Sequence, residues 1–380
     1  MTYGTKKKLI GKFGMTKLFN QVYKGKTVLV TGHTGFKGSW LVYWLNKMGA
    51  NVIGYSLEAP TSPNHIGLLD GLNIVSIIGD IRDLDKLNRV FHEYKPDIVF
   101  HLAAQPLVRL SYENPIETYD TNVMGTLKVF EAARNASVSA IVNITSDKAY
   151  ENQEWLWGYR ENDPMGGYDP YSSSKGCAEL LVSSYRNSYF NKNDYGKKHN
   201  TLLASCRAGN VIGGGDWAKD RLITDIMLSI VNQKKVIIRS PHATRPWQHV
   251  LEPLSGYLQI GQKLLENELI FSDGFNFGPT DEGTISVEEV VKKIKGYWNK
   301  LEYEIQQDEN QLHEATLLKL DCSKAHQLLN WRNVWDSETT FQRTVEWYKN
   351  FYENEKINTE EDLKKYVNDA KEKEVSWAVN

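Results

Sequence analysis

The sequence predicts an α/β fold, a doubly wound parallel sheet with a smaller, loop-rich C-terminal lobe. Three observations carry this. Short β-branched runs alternate with helical patterns from Lys26 to about Arg207. The first run ends on glycines spaced GxxGxxG, and after Asn210 the alternation gives way to segments punctuated by glycine and proline. Alternating strand and helix gives a parallel sheet with helices on both faces, and near-continuous apolar strands fit burial on both sides. The architecture expected is therefore of the Rossmann type.

Taken in order, Lys26 to Thr31 is the first strand and Phe36 to Met48 the helix after the glycines. Further strands are expected at Asn51 to Tyr55, Val75 to Ile78, Ile98 to Leu102, Ile141 to Thr145 and Leu202 to Arg207. Helical patterns occupy Leu84 to Tyr94, Glu117 to Ala133 and Ser172 to Phe190. Beyond Asn210, Gly213, Gly214, Gly215, Pro241, Pro246, Pro253 and Pro279 mark shorter elements, read as a lobe over the carboxyl edge of the sheet, where open α/β sheets bind ligands. The expected organisation is a weakly ordered lysine-bearing leader over 1–25, a dinucleotide-binding domain over 26–205, and a mainly substrate-binding lobe over 206–350 interleaved with the sheet. A charged C-terminal helix and tail follow over 351–380, with Thr359 to Asp362 as its cap.

Composition narrows the function. With 380 residues, 41% of them hydrophobic, the chain can bury a full core. A net charge of -2 argues against a nucleic-acid surface. No stretch approaches the roughly 20 apolar residues of a membrane span, and the leader has no apolar signal core. Cys177, Cys206 and Cys322 are scattered and odd in number, which points to reduced thiols in a cytoplasm and to no metal site.

The glycine cluster Gly32-His33-Thr34-Gly35-Phe36-Lys37-Gly38 lies between a strand and a helix, where backbone amides can approach a pyrophosphate. Candidate cofactor contacts are Gly32, His33, Thr34, Gly35, Phe36 and Gly38. Asp80 and Ile81 follow the third strand and can flank an adenine. Leu102, Ala103 and Ala104 close the fourth strand with small side chains, and Asn122 can hydrogen-bond backbone nearby. Glu58 lies about 20 residues past Gly38, the distance expected for an acid on a ribose 2′-hydroxyl. No arginine nearby welcomes a 2′-phosphate, so NAD is expected rather than NADP.

Tyr171 precedes Lys175 by four residues, one helical turn on the same face. An ammonium there is expected to lower the phenol's pKa, so that Tyr171 can take an alcohol proton while a nicotinamide takes the hydride. Ser146 ends the fifth strand, and Asp147 and Lys148 follow it directly. Alcohol oxidation does not need that acid and amine. They suggest a second proton-moving step, an elimination.

The glycine pattern, the Ser146 strand end and the Tyr171/Lys175 pair together resemble the extended short-chain dehydrogenase/reductase superfamily over about residues 26–350. Within it, Val30–Trp40, Gly209–Trp217 and Thr244–Val250 resemble the CDP-glucose 4,6-dehydratase family. The resemblance implies conversion of CDP-glucose to its 4-dehydro-6-deoxy product with bound NAD, an early step toward deoxysugars of surface polysaccharide. Ser146, Asp147, Lys148, Tyr171 and Lys175 would be catalytic. Arg245, whose planar fork matches phosphate oxygens, leads the substrate contacts, with Arg221, Arg239, Asn210 and His313 beside it. A neutral Asp147/Lys148 pair would cost roughly 9 kcal/mol in water, so a charged Lys148 stabilising an enolate stands beside a free-amine base. Trp155, Trp157 and Tyr159 either cover the sugar or pack their own loop. The helices over 117–133 and 172–190 match those that pair superfamily homodimers. A 4-epimerase would leave Asp147 and Lys148 without a task, and a non-catalytic NAD-binding scaffold would leave Ser146, Tyr171 and Lys175 without one.

Overall fold

A computed structural model describes residues 14–238, 240–280, 284–306 and 317–379. Its strands are β1 (Thr27–Thr31), β2 (Asn51–Ser56), β3 (Val75–Ile78), β4 (Ile98–His101), β5 (Ala140–Ile144), β6 (Leu202–Ala208), β7 (Asn210–Ile212), β8 (Val236–Ile238), β9 (Thr244–His249), β10 (Gly274–Phe277), β11 (Thr284–Ser286) and β12 (Tyr303–Ile305). The helices are α1 (Phe36–Lys47), α2 (Leu84–Tyr94), α3 (Val108–Glu113), α4 (Pro115–Tyr119), α5 (Thr126–Asn135), α6 (Pro170–Ser188), α7 (Leu222–Val231), α8 (Leu251–Leu265), α9 (Val287–Tyr297), α10 (Ser323–Leu328), α11 (Ser337–Asn354), α12 (Thr359–Glu372) and α13 (Ser376–Val379).

Seven strands form one parallel sheet in the order β10-β6-β5-β4-β1-β2-β3. Because β1 pairs with both β2 and β4, the winding reverses there and opens a crevice at the strands' carboxyl ends. The six predicted strands are present within a residue or so of their expected bounds. The seventh, β10, returns from the C-terminal lobe to the sheet edge beside β6. Its sequence, Gly-Phe-Asn-Phe, is too short for periodicity to reveal. The lobe itself carries β11-β9-β7 and β12-β8.

The helix expected over 117–133 is interrupted. Between α4 and α5 the chain takes a π-turn, Asp120–Gly125, and buries Asn122. A Cβ on Gly125 would meet Ile81 Cδ1 at 2.6 Å, so only glycine lets this segment approach the end of β3. By contrast α6 is unbroken and starts two residues before the expected Ser172. Asp169 caps it through the Ser172 amide at 2.9 Å, and Pro170 supplies its first residue.

Two terminal expectations are corrected. Residues 1–13 lie outside the described residues, but in the remainder of the leader Met15, Leu18, Phe19 and Tyr23 are buried in the main core. The expected charged C-terminal helix is present as α12, which also buries Leu363, Tyr366, Val367 and Ala370 beneath its charged face, but its expected cap is corrected. The two ends meet: Phe19 stacks on Trp377 with ring centroids 5.1 Å apart, and Trp44 packs edge-on against Tyr366. Asn358, not Thr359, precedes α12. Thr359 is buried against His65 and Trp347, and Asp362 pairs with Arg343 inside the core.

Buried Glu252 ties this C-terminal helix to α8. It accepts the Trp335 amide at 2.7 Å, the Val334 amide at 3.0 Å and the Tyr366 hydroxyl at 2.9 Å. Burial outweighs these donors and pushes its carboxyl up from 4.5 to about 7. The folded chain therefore binds this proton more tightly than the unfolded chain does. Stability should fall as pH rises from about 4.5 to about 7, by about 3 kcal/mol for this group, and be level above. Thermal melting between pH 5 and 7.5 checks this, and Glu252→Gln should flatten the dependence.

Candidate active site

A cavity of about 1350 Å³ runs along the carboxyl ends of the strands, between the sheet and the C-terminal lobe. At one end lies the glycine turn after β1. Gly32 adopts φ +76°, and a Cβ there would come within 2.8 Å of the Ala103 amide nitrogen. A Cβ on Gly38 would sit 2.1 Å from the Gly32 carbonyl oxygen. These glycines let the turn close on the start of α1 and leave its amides facing the cavity, the cradle a dinucleotide pyrophosphate requires. Of the candidate cofactor contacts, Thr34, Phe36, Glu58, Asp80, Ile81, Leu102, Ala103 and Ala104 line the cavity.

His33, expected as a cofactor contact, is corrected, whereas Asn122 makes the backbone hydrogen bonds expected of it without itself facing the cofactor end. His33 turns away from the cavity. Its Nε2 lies 2.8 Å from Ser76 Oγ, and its ring fills the space a Cβ on Gly54 would take. Burial pulls it down to about 4, so it is a neutral packing residue. Asn122 acts from behind the wall. It accepts the Gln105 amide at 2.8 Å, and its Nδ2 donates to the Gln105 carbonyl and to Ser174 Oγ. It thereby clamps the loop after β4 to α6, and it does not line the cavity.

At the centre, Ser146, Asp147, Lys148, Tyr171 and Lys175 line the same wall. β5 delivers Ser146, whose hydroxyl donates to Asp147 Oδ1 at 2.9 Å. The Lys148 amide donates to that same oxygen at 2.8 Å. Asp147 is buried, which raises its carboxyl above the usual range. Lys148, Ser146 and Lys37 act in the opposite sense. Gly209 makes room for it, since a Cβ there would stand 3.0 Å from Asp147 Oδ2.

The expectation that Lys175 lowers the Tyr171 phenol is not met. Burial pushes Tyr171 up to about 12, against which the Ser146 hydroxyl and the Arg221 guanidinium pull it down. Burial also draws Lys175 down to about 8, with Glu179 supporting its charge. The spacing argument gave the shared helix face but carried no information on how dry that face would be.

Three residues in and behind the cavity wall escaped the sequence reading. Lys37, inside the glycine motif, lines the cavity. Burial draws it down to about 8, and Asp147, Arg221 and Lys175 act on its charge. Glu179, one turn beyond Lys175, accepts Ser205 Oγ at 2.5 Å and Arg207 Nη2 at 2.8 Å, and it also accepts the Thr145 hydroxyl. Arg207 Nη1 in turn reaches the Tyr150 hydroxyl at 2.6 Å. This buried pair fastens together β5, β6, α6 and the turn after Lys148. The signal was available, since Glu179 continues the four-residue spacing of Tyr171 and Lys175.

On the lobe side, the candidate substrate contacts Asn210, at the start of β7, Arg221 and Arg245 line the cavity. Asp216 holds Arg221 at 2.5 Å, and Arg245 Nη1 donates to the Thr244 carbonyl at 2.9 Å. Arg239 and His313 lie outside the described residues. Of the two readings of the inserted loop, packing is what is found. Tyr159 stacks on Tyr150 at 5.2 Å, the Trp155 ring lies 5.1 Å from Tyr159, and none of Trp155, Trp157 and Tyr159 lines the cavity.

A dinucleotide cradle joined to a Ser–Tyr–Lys wall defines the class, a sheet-edge site of the short-chain dehydrogenase/reductase type. The chain belongs to the GDP-mannose 4,6 dehydratase family, whose model matches residues 29–345. It is 57% identical over 329 residues to a CDP-glucose 4,6-dehydratase of Salmonella typhimurium, covering 86% of this chain and 91% of that one. A human dTDP-D-glucose 4,6-dehydratase is 27% identical, covering 90% and 95%. Among solved structures, an epimerase of Methanothermobacter thermautotrophicus superposes with a TM-score of 0.77 at 26% identity, covering 90% and 96%. A Bacillus anthracis dTDP-glucose 4,6-dehydratase in complex with NAD gives 0.71 at 22%, covering 87% and 98%.

Proposed function

We propose that this protein is a hydro-lyase that converts CDP-glucose to CDP-4-dehydro-6-deoxyglucose and water, using resident NAD. The observation that carries the reading is the presence of Asp147 and Lys148 on the same cavity wall as Ser146, Tyr171 and Lys175. The 57% identity to the Salmonella enzyme supports the substrate.

The glycine turn, Thr34, Glu58, Asp80 and Ile81 would hold NAD, which when bound accepts the hydride from C4 and returns it to C6. Tyr171 takes the C4 hydroxyl proton, with the Ser146 hydroxyl and the Arg221 guanidinium supporting its phenolate and Lys175 one helical turn further along α6. The C4 ketone so formed acidifies the C5 hydrogen. Lys148 assists removal of that hydrogen, as amine base or as an ammonium stabilising the enolate oxygen. Asp147, whose burial helps it retain a proton, protonates the departing C6 hydroxyl. Arg245 and Arg221 receive the diphosphate. Incubation with CDP-glucose should yield a 4-keto sugar lighter by one water. A 4-epimerase would leave the mass unchanged, and a scaffold would leave the sugar unchanged.

The protein is further proposed to be a cytoplasmic homodimer. No helix among the described residues is long and apolar enough to cross a membrane. The outer faces of α4 and α6 and the π-turn between α4 and α5 form an apolar surface of Pro115, Ile116, Tyr119, Val123, Met124 and Cys177, with Ile116 85% exposed. Ile116→Glu should shift the dimer to monomer in light scattering. An unchanged dimer would place the interface elsewhere.

A further inference from the structure

Resemblance alone singles out cytosine in this reading, so the end of the cavity away from the glycine turn invites a physical account. Among the lobe residues that line the cavity, Leu222, Ile237, Ile238 and Val287 are apolar. Such walls accept any flat ring and do not distinguish one pyrimidine from another. Discrimination needs a polar group.

Three carboxylates of the C-terminal lobe line the cavity: Asp216, Asp220 and Asp225. Asp216 is held by Arg221 at 2.5 Å and Asp220 by Arg109 at 3.0 Å. The Asp225 carboxylate has no hydrogen-bond or ion-pair partner among the described residues. It stands in the first turn of α7, where its amide donates to the Arg221 carbonyl at 2.9 Å. It therefore shares the helix face of Arg221, about 6 Å further along the axis. Arg221 acts electrostatically on Tyr171 at the catalytic centre. The charges that act on Asp225 are Asp220 and Arg109, and none of them is catalytic. Along α7 the order is then catalytic centre, phosphate-binding cation, acid.

We propose that Asp225 reads the nucleobase, its carboxylate accepting a hydrogen bond from the 4-amino group of cytosine. Uracil and thymine carry a carbonyl oxygen at that position, and two acceptors facing each other repel. This rests on the dehydratase reading for where the sugar lies, and it supplies the base selectivity which that reading leaves to resemblance.

The test compares the NAD-saturated wild type with Asp225→Asn and Asp225→Leu. CDP and UDP binding is measured by calorimetry, and turnover of CDP-glucose and UDP-glucose is followed in parallel. In the wild type CDP should bind more tightly than UDP. In both variants CDP binding should weaken on the order of 10- to 100-fold while UDP binding is unchanged or tighter. Equal weakening of both nucleotides would mean that Asp225 holds the ribose or supports the fold, and it would overturn the proposal. Unchanged CDP binding would overturn it as well. A wild type that binds CDP selectively but fails to dehydrate CDP-glucose would sink the dehydratase reading and leave the role of Asp225 standing.

Discussion

Tyr171→Phe is expected to lower kcat by about 10²- to 10⁴-fold with little change in substrate affinity. The phenol lies in a wall already shaped by α6, which Asp169 and Pro170 start and whose first amide at Tyr171 donates to Ser111 Oγ at 3.1 Å. Removing one oxygen leaves that packing intact and removes only the proposed acceptor for the C4 hydroxyl proton. The loss should appear in the oxidation itself, so quenched mixtures should contain unreacted sugar nucleotide and no 4-ketone. A kcat within a few-fold of wild type would assign that proton to another group.

Lys148→Met should divide the reaction. In the proposed mechanism C4 oxidation depends on Ser146, Tyr171 and Lys175, which this change leaves in place. Elimination should stop, because neither an amine nor an ammonium then stands beside the C5 hydrogen. Rapid quenching and mass spectrometry should find the enzyme-bound 4-ketone with its C6 hydroxyl still attached, and overall turnover reduced by about 10²-fold or more. Lys148 is half-buried in the cavity wall, and its backbone amide, not its side chain, holds Asp147. The variant should therefore melt close to wild type. Normal turnover would remove Lys148 from the mechanism.

Much of this site was legible because it follows from local rules. Glycines 32, 35 and 38 had to form a turn after a strand. Tyr171 and Lys175 had to share a helix face, and Ser146 had to end a buried strand. What was not legible depended on tertiary environment. The identity of a loop residue does not say which way its side chain turns, so His33 read as a cofactor contact although Gly54 offered it a niche beneath the sheet. The π-turn at Asp120–Gly125 packs its glycine against Ile81, a contact remote in sequence. The acidic face of α12 masked its apolar side, whose partner Trp44 lies more than three hundred residues earlier. Burial also reversed the expected direction for Tyr171. Spacing conveys geometry, whereas pKa follows from desolvation.

The account depends on one hydride leaving C4 and returning to C6 of the same sugar, with a proton-moving step in between. CDP-glucose deuterated at C4, turned over by the holoenzyme in ordinary water, measures this directly. The label should be retained and located at C6 of the 4-dehydro-6-deoxy product. Label lost to solvent, or remaining at C4 in a sugar of unchanged mass, would contradict it.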